Sequence, residues 1–95
     1  MSTEAIDIDR AVDRALEVHP HVAIRDEPFG ALAYHYDNRR LVFLRHPDVV
    51  RVIRALGEHP TLADTLVACD IDRSRWQSFI TAVASLERAE VVRAR

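Results

Sequence analysis

The sequence has a single cysteine and only two glycines, and both shortages exclude classes of protein. One thiol, Cys69, cannot form an intramolecular disulfide or a zinc site that needs several cysteines. Gly30 and Gly57 are too few for a glycine-rich loop that binds phosphate groups. Apolar runs fall well short of the roughly 18 residues that cross a membrane, and the first residues are acidic, unlike a secretory signal. We therefore expect a cytoplasmic protein without a membrane partner.

Basic charge is also scarce. Lysine is absent, all 13 basic residues are arginines, and the net charge is −2. Tight binding of nucleic acid depends on neutralising phosphates and usually requires a basic domain, so we expect no nucleic-acid partner. The 95 residues, of which 48% are hydrophobic, are enough for one globular domain with a modest core.

The histidines and the cysteine form no recognisable catalytic or metal-binding motif. Five histidines are spread along the chain: His19, His21, His35, His46 and His59. Neither an HExxH motif nor a group of carboxylates accompanies them, so surface or capping roles are expected. Cys69 precedes Asp70, whose charge disfavours a thiolate, and it is expected to be a small core residue. The sequence therefore predicts no enzyme, no metal and no cofactor.

The chain is expected to have two parts. Residues 1–18 place apolar side chains at helical spacing, which predicts a short helix or an N-terminal arm. Pro20 ends this segment, because the residue before a proline disfavours helical backbone. Residues 19–95 then form the main domain, which begins with strands.

Three strands are predicted at the start of this domain. Val22 and Ile24 alternate with small or polar neighbours and indicate the first strand. The second strand runs over residues 31–36 and the third over 39–45. Between them, Asp37 and Asn38 both tolerate a positive φ, which predicts a two-residue turn.

This turn sets the register of the last two strands. One face of the hairpin carries the large side chains, in the pairs Leu32–Phe43 and Tyr34–Leu41. The other face is made shallow by alanines, in the pairs Ala31–Leu44 and Ala33–Val42. We expect the bulky face to pack on the helices and the shallow face to be left for the N-terminal arm or for a partner.

Three helices are predicted after the strands. The first begins at Pro47 and ends near Gly57, the second is capped by Thr61, and the third opens on a capping box at Ser74. The fold class is therefore α+β: a three-stranded antiparallel sheet followed by three helices, similar to a winged helix-turn-helix.

The third strand and the last helix permit several interpretations. As an edge strand, residues 39–45 can accept an extended peptide, or its arginines can protect the edge. The apolar stripe of the last helix is either core or, through Trp76, one wall of a groove beside that strand. A small winged-helix transcription regulator that binds DNA is the rival hypothesis, and an oligomerisation subunit is the third.

The segment from Arg25 to Leu44 resembles the peptide chaperones of mycofactocin biosynthesis, most specifically at Glu27–Ala31 and Arg39–Leu41. That family is similar to the peptide chaperones of pyrroloquinoline quinone biosynthesis, and the resemblance extends over about His19 to Arg95. It implies a non-catalytic protein without a cofactor. Such a protein binds the leader region of a ribosomally made precursor peptide and presents it to a radical S-adenosylmethionine maturase.

The resemblance also implies where the peptide lies. In the wider group the leader adds as a strand beside the third strand and lies against the third helix. The corresponding residues of this chain are Arg40, Leu41, Val42, Phe43, Leu44, Trp76, Phe79, Ile80 and Val83.

Overall fold

A computed structural model describes residues 8–95. Its elements in chain order are α1 (Ile8–Val12), β1 (Leu16–Val18), β2 (Val22–Glu27), β3 (Gly30–His35), β4 (Leu41–Leu44), α2 (Pro47–Ala55), α3 (Leu62–Ala68), α4 (Trp76–Arg88) and β5 (Val92–Ala94). Short 3-10 turns at Leu56–Glu58 and Arg73–Arg75 follow α2 and precede α4. The predicted α+β class is confirmed, as is a three-stranded antiparallel sheet in the order β2-β3-β4. No helix of the described chain is both long and apolar enough to cross a membrane.

The hairpin between β3 and β4 has the predicted register but not the predicted turn. Leu32 lies opposite Phe43, and Tyr34 lies opposite Leu41. The left-handed residue, however, is Arg39, with a φ of 62°. Its N–H donates to the carbonyl of His35 at 2.8 Å, which closes a longer loop than a two-residue turn.

The prediction of which sheet face is buried was wrong. Ala31 and Ala33 are 0% and 1% exposed, whereas Leu41 and Phe43 are 55% and 56% exposed. Helix α2 contacts both β3 and β4, and the small alanines allow it to approach the sheet closely. The bulky face is therefore turned outward, and helix α2 packs against the alanine face.

Two of the three predicted helix starts have the residue that the sequence indicated. Pro47 occupies the first turn of α2, and the Thr61 hydroxyl accepts the Asp64 N–H at 3.2 Å to cap α3. The third cap is Asp72 rather than Ser74, since the Asp72 carboxylate accepts the Ser74 N–H at 2.9 Å. Gly57 does not end α2 but lies inside the 3-10 turn that extends it.

The two ends of the described chain meet in a second sheet. Strand β1 pairs antiparallel with β5, and Leu16 and Val92 are both 1% exposed. Arg14 forms a bidentate ion pair with Glu87 of α4, and both N–O distances are 2.7 Å. The segment just before residue 19 thus packs on the same core as the main domain, and the tail forms strand β5. The boundary at residue 18 stays a prediction, and the part of the predicted arm before Ile8 lies outside the described residues.

Candidate functional site

Strand β4 is an open edge of the three-stranded sheet. Among residues 8–95 only β3 pairs with it. The His35 N–H donates to the Arg40 carbonyl at 3.0 Å, which shows that the backbone of Arg40 faces β3. Because this orientation alternates along an antiparallel strand, the N–H and C=O groups of Leu41 and Phe43 point away from the sheet. Within residues 8–95 no other strand pairs with these groups, so they can pair with an added strand.

The opposite edge of the sheet is partly occupied by a side chain. Arg54 of α2 donates to the outward carbonyl of Ile24 at 3.3 Å and forms an ion pair with Asp26 at 3.0 Å. A side chain thus occupies part of the hydrogen-bonding edge of β2 and holds an acidic side chain beside it. Of the two edges, β4 is the one left open to an extended chain.

A groove runs between the open edge and helix α4. Two adjoining cavities of about 200 and 440 Å³ form it, and they share the side chains of His46, Val49 and Ala82. The β4 side of the groove is formed by Val42, Phe43, Leu44 and Arg45. The α4 side is formed by Ser78, Phe79, Thr81, Ala82, Ser85 and Leu86. We call this feature the β4–α4 groove.

The predicted helix residues have different positions relative to this groove. Phe79 lines it, although only 3% of the residue is exposed. Ile80 and Val83 line a separate small cavity on the side of Leu16. Trp76 is 7% exposed, and its indole N–H donates to a backbone carbonyl, that of Ile71, at 3.0 Å. In this structure Trp76 has the contacts of a core residue, which was one of the two interpretations of the sequence.

Sequence reasoning missed the small residues on the groove side of α4. Ser78, Ala82 and Ser85 recur at spacings of four and three residues, so they share one helix face. Small side chains on that face leave room for another chain to lie alongside. This stripe was visible in the sequence, but the neighbouring apolar stripe gave the stronger signal.

Arginines lie at both ends of the β4–α4 groove. At one end the Arg45 guanidinium is 5.7 Å from the ring centre of Phe43. At the other end Arg75 donates to Asp48 at 2.9 Å and lies 5.1 Å from the Phe79 ring centre. Hydrogen bonds from arginines, first from Arg51 and then from Arg75, hold the pKa of Asp48 below its usual range. Asp48 therefore stays ionised at neutral pH and anchors both arginines.

The outward face of the sheet is rich in large apolar side chains. Phe29 and Phe43 form an edge-to-face pair with ring centres 5.7 Å apart. Tyr34 and Tyr36 form a second pair at 5.3 Å. The side chain of Leu41 belongs to this face, and its backbone belongs to the open edge of β4. The outward sheet face and the open edge are therefore continuous.

The cysteine and three of the histidines lie outside the groove. Cys69 is 8% exposed, and burial raises the pKa of its thiol, in line with the expected core role. Three of the five histidines, which looked dispersed in the sequence, instead lie together beside Asp37: His19, His21 and His35.

An open strand edge beside an apolar groove is the geometry with which small domains take up an extended peptide. Comparison with known sequences gives the same class of protein. The chain matches the sequence model of the peptide chaperone MftB family over residues 15–93, and it belongs to that family. Members of this family are non-enzymatic accessory proteins, as the sequence led us to expect.

Curated relatives carry the same description. The protein named peptide chaperone MftB from Mycobacterium ulcerans is 38% identical over 74 residues, which are 78% of this chain and 68% of the relative. Its namesake from Mycobacterium tuberculosis is 34% identical over the same shares of the two chains. That from Mycolicibacterium smegmatis is 34% identical over 84% of this chain and 78% of the relative. No solved structure matches the chain, so its likeness to a winged helix stays a prediction.

Proposed function

We propose that this protein binds the leader region of a ribosomally made precursor peptide and presents it to a radical S-adenosylmethionine maturase in mycofactocin biosynthesis. The observation that carries the proposal is the open edge of β4 beside the β4–α4 groove. The name of the curated relatives, peptide chaperone, supports it. The protein itself performs no chemistry in this role and needs no cofactor for it, and the cytoplasmic location is part of the proposal.

The leader adds to the sheet as a fourth strand. Its backbone pairs with the outward groups of Leu41 and Phe43, which supplies affinity without regard to sequence. Alternate leader side chains then point into the groove, towards Ala82 and Ser85, or towards the outward sheet face. Arg40 and Arg45 at the two ends of the strand favour acidic residues in the leader.

The DNA-binding alternative is disfavoured by the start of α4. A recognition helix needs its basic side chains available for phosphates and bases. Here Arg75 is held by Asp48, and the guanidinium of Arg73 is 4.6 Å from the ring centre of Trp76. The net charge of −2 points in the same direction.

Titration of the full chain with fluorescent precursor peptide and with duplex DNA tests the proposal. We expect saturable one-to-one peptide binding, and a loss of roughly tenfold or more when Ala82→Arg fills the groove. Gln77→Arg is the matched control, since it adds the same charge to an exposed position of α4 outside the groove. Salt-sensitive DNA binding without a response to the peptide contradicts the proposal, as does equal peptide affinity of the two variants.

The second half of the proposal concerns the maturase. We expect chaperone, precursor and maturase to elute as one ternary complex in size-exclusion chromatography. We also expect turnover of the precursor to rise when the chaperone is added. If the maturase modifies the precursor at the same rate with and without the chaperone, the presenting role is wrong even if the peptide binds.

A further inference from the structure

We infer that His19, His35 and Asp37 form a binding site for a divalent transition-metal ion such as Zn²⁺. Each side chain offers one ligand atom, and the three atoms lie within 4.8 Å of one another. The rings of His19 and His35 are 4.6 Å apart between centres. This site is separate from the β4–α4 groove, and the inference does not rest on the proposed peptide binding.

The backbone holds the three residues together. The His19 N–H donates to the Val91 carbonyl at 2.8 Å, which fixes the segment after β1. Tyr36, between His35 and Asp37, donates its N–H to the backbone carbonyl of His21 at 2.9 Å, which fixes the start of the turn after β3. The site is thus built from two segments that the fold brings together. Because the backbone already brings the three residues together, metal binding requires only side-chain adjustment.

His35 is the residue that most needs an explanation. It is 3% exposed, and its Nε2 is buried without a hydrogen-bond partner in the described structure. Buried side-chain nitrogens almost always have a partner, so an unsatisfied one requires an explanation. A bound metal ion supplies one, with the adjacent His19 ring contributing a second nitrogen.

The donor set suits a first-row transition metal. Two imidazoles and one carboxylate are common zinc ligands, with bonds of about 2.0–2.2 Å. Tetrahedral coordination separates such ligand atoms by about 3.4 Å, so the three groups must close by about 1.4 Å from the observed limit of 4.8 Å. Asp37 is exposed and His19 is half-buried, so both can rotate towards the buried His35. Water or the nearby His21 can supply the fourth ligand.

One nearby cation bears on the site. Arg93 acts electrostatically on His19. It is paired with Glu17 at 2.7 Å, which limits its repulsion of a metal ion.

Coordination must displace local hydrogen bonds. The Nδ1 atoms of His19 and His35 accept backbone N–H groups, from His21 at 3.0 Å and from Asp37 at 3.2 Å. A metal ion bound at Nδ1 replaces these bonds, and one bound at Nε2 moves the ring proton to Nδ1. Either way two neutral hydrogen bonds are exchanged for two metal–nitrogen bonds.

Calorimetric titration of the chelator-treated full chain, without a histidine tag, with ZnSO₄ tests the inference. We expect one equivalent to bind, and affinity to fall roughly tenfold or more in His19→Gln and in Asp37→Asn, which change accessible side chains. His59→Gln, a histidine outside the site, is the control and should keep the wild-type affinity. On zinc addition, ring-proton NMR signals of His19 and His35 should shift while that of His59 does not.

Two results overturn the inference. One is the lack of saturable binding in the wild-type chain. The other is a loss of affinity in His59→Gln that equals the loss in His19→Gln. Co²⁺ provides a further readout, because a thiolate charge-transfer band would place the metal at Cys69 and contradict the assignment.

Discussion

Gly30, at the start of β3, lies against the carbonyl oxygen of Leu44 at the end of β4. A Cβ atom on residue 30 would be 2.1 Å from that oxygen, and the φ of Gly30 is 144°. The turn before β3 therefore contacts the end of the strand that we assign to peptide docking. Only glycine fits this position, because it alone combines the backbone angle with the absence of a side chain.

Gly30→Ala is expected to destabilise the chain by about 2 kcal/mol or more, through the strained backbone and the clash with Leu44. Urea unfolding measures this change. Gly57→Ala is the matched control, since a Cβ there meets no atom within 4 Å and should change stability by less than about 1 kcal/mol. Equal midpoints for Gly30→Ala and the wild type would contradict this account of the turn.

Leu44→Ala and Phe43→Ala test which face of β4 is buried. Leu44 is 4% exposed and Phe43 is 56% exposed, although the two are neighbours in sequence. Loss of the buried side chain should cost about 2–4 kcal/mol, and loss of the exposed one less than about 1 kcal/mol. Thermal or urea unfolding of both variants decides the point. The reverse order of stability would restore the original expectation that the bulky face is buried.

Glu87→Gln is predicted to destabilise the chain by about 0.5–1 kcal/mol at pH 7, because it removes the charge that pairs with the partly exposed Arg14. The hydrogen bond from Arg14 lowers the pKa of Glu87 from its ordinary 4.5. Its stabilisation is therefore complete above about pH 4.5 and is lost as the pH falls through the lowered value. The difference in stability between variant and wild type should shrink as the pH is lowered from 7 to 3. Glu58→Gln, at an exposed position, serves as the control, and a constant difference at all pH values would argue against the ion pair.

Trp76→Phe separates a role in the core from a role in the groove. The indole N–H bond to Ile71 and part of the buried ring are lost, so we expect a loss of about 1–3 kcal/mol in stability. Peptide affinity should stay within about twofold of the wild type, since Trp76 does not line the β4–α4 groove. A tenfold weaker complex with unchanged stability would make Trp76 a contact residue instead.

The strand register could be predicted from the sequence, but the buried face could not. The position of the Asp37–Asn38 pair fixes which residues of β3 and β4 are opposite one another, whatever the exact turn geometry. Burial depends on how closely α2 approaches the sheet. Ala31 and Ala33 permit a close approach, and side-chain bulk alone gave the wrong answer because it ignored this packing.

The candidate sites were only partly predictable, because long-range packing decides which residues come together. The edge position of β4 follows from strand order, which the sequence indicated. The grouping of His19 with His35 depends on how the segment after β1 is tied to the tail by the backbone bond to Val91, a long-range contact that no local pattern encodes. The groove face of α4 was missed because Ala82 and Ser85 are small and carry little hydrophobic signal.

Amide hydrogen exchange at β4, measured by NMR with and without saturating precursor peptide, tests the central claim most directly. In the free chain, the outward N–H groups of Leu41 and Phe43 should exchange fast, and those of Val42 and Leu44, which face β3, should be protected. Strand addition should slow exchange at Leu41 and Phe43 by an order of magnitude or more. If these two amides still exchange fast when the peptide is fully bound, the leader does not add to β4 and the account is wrong.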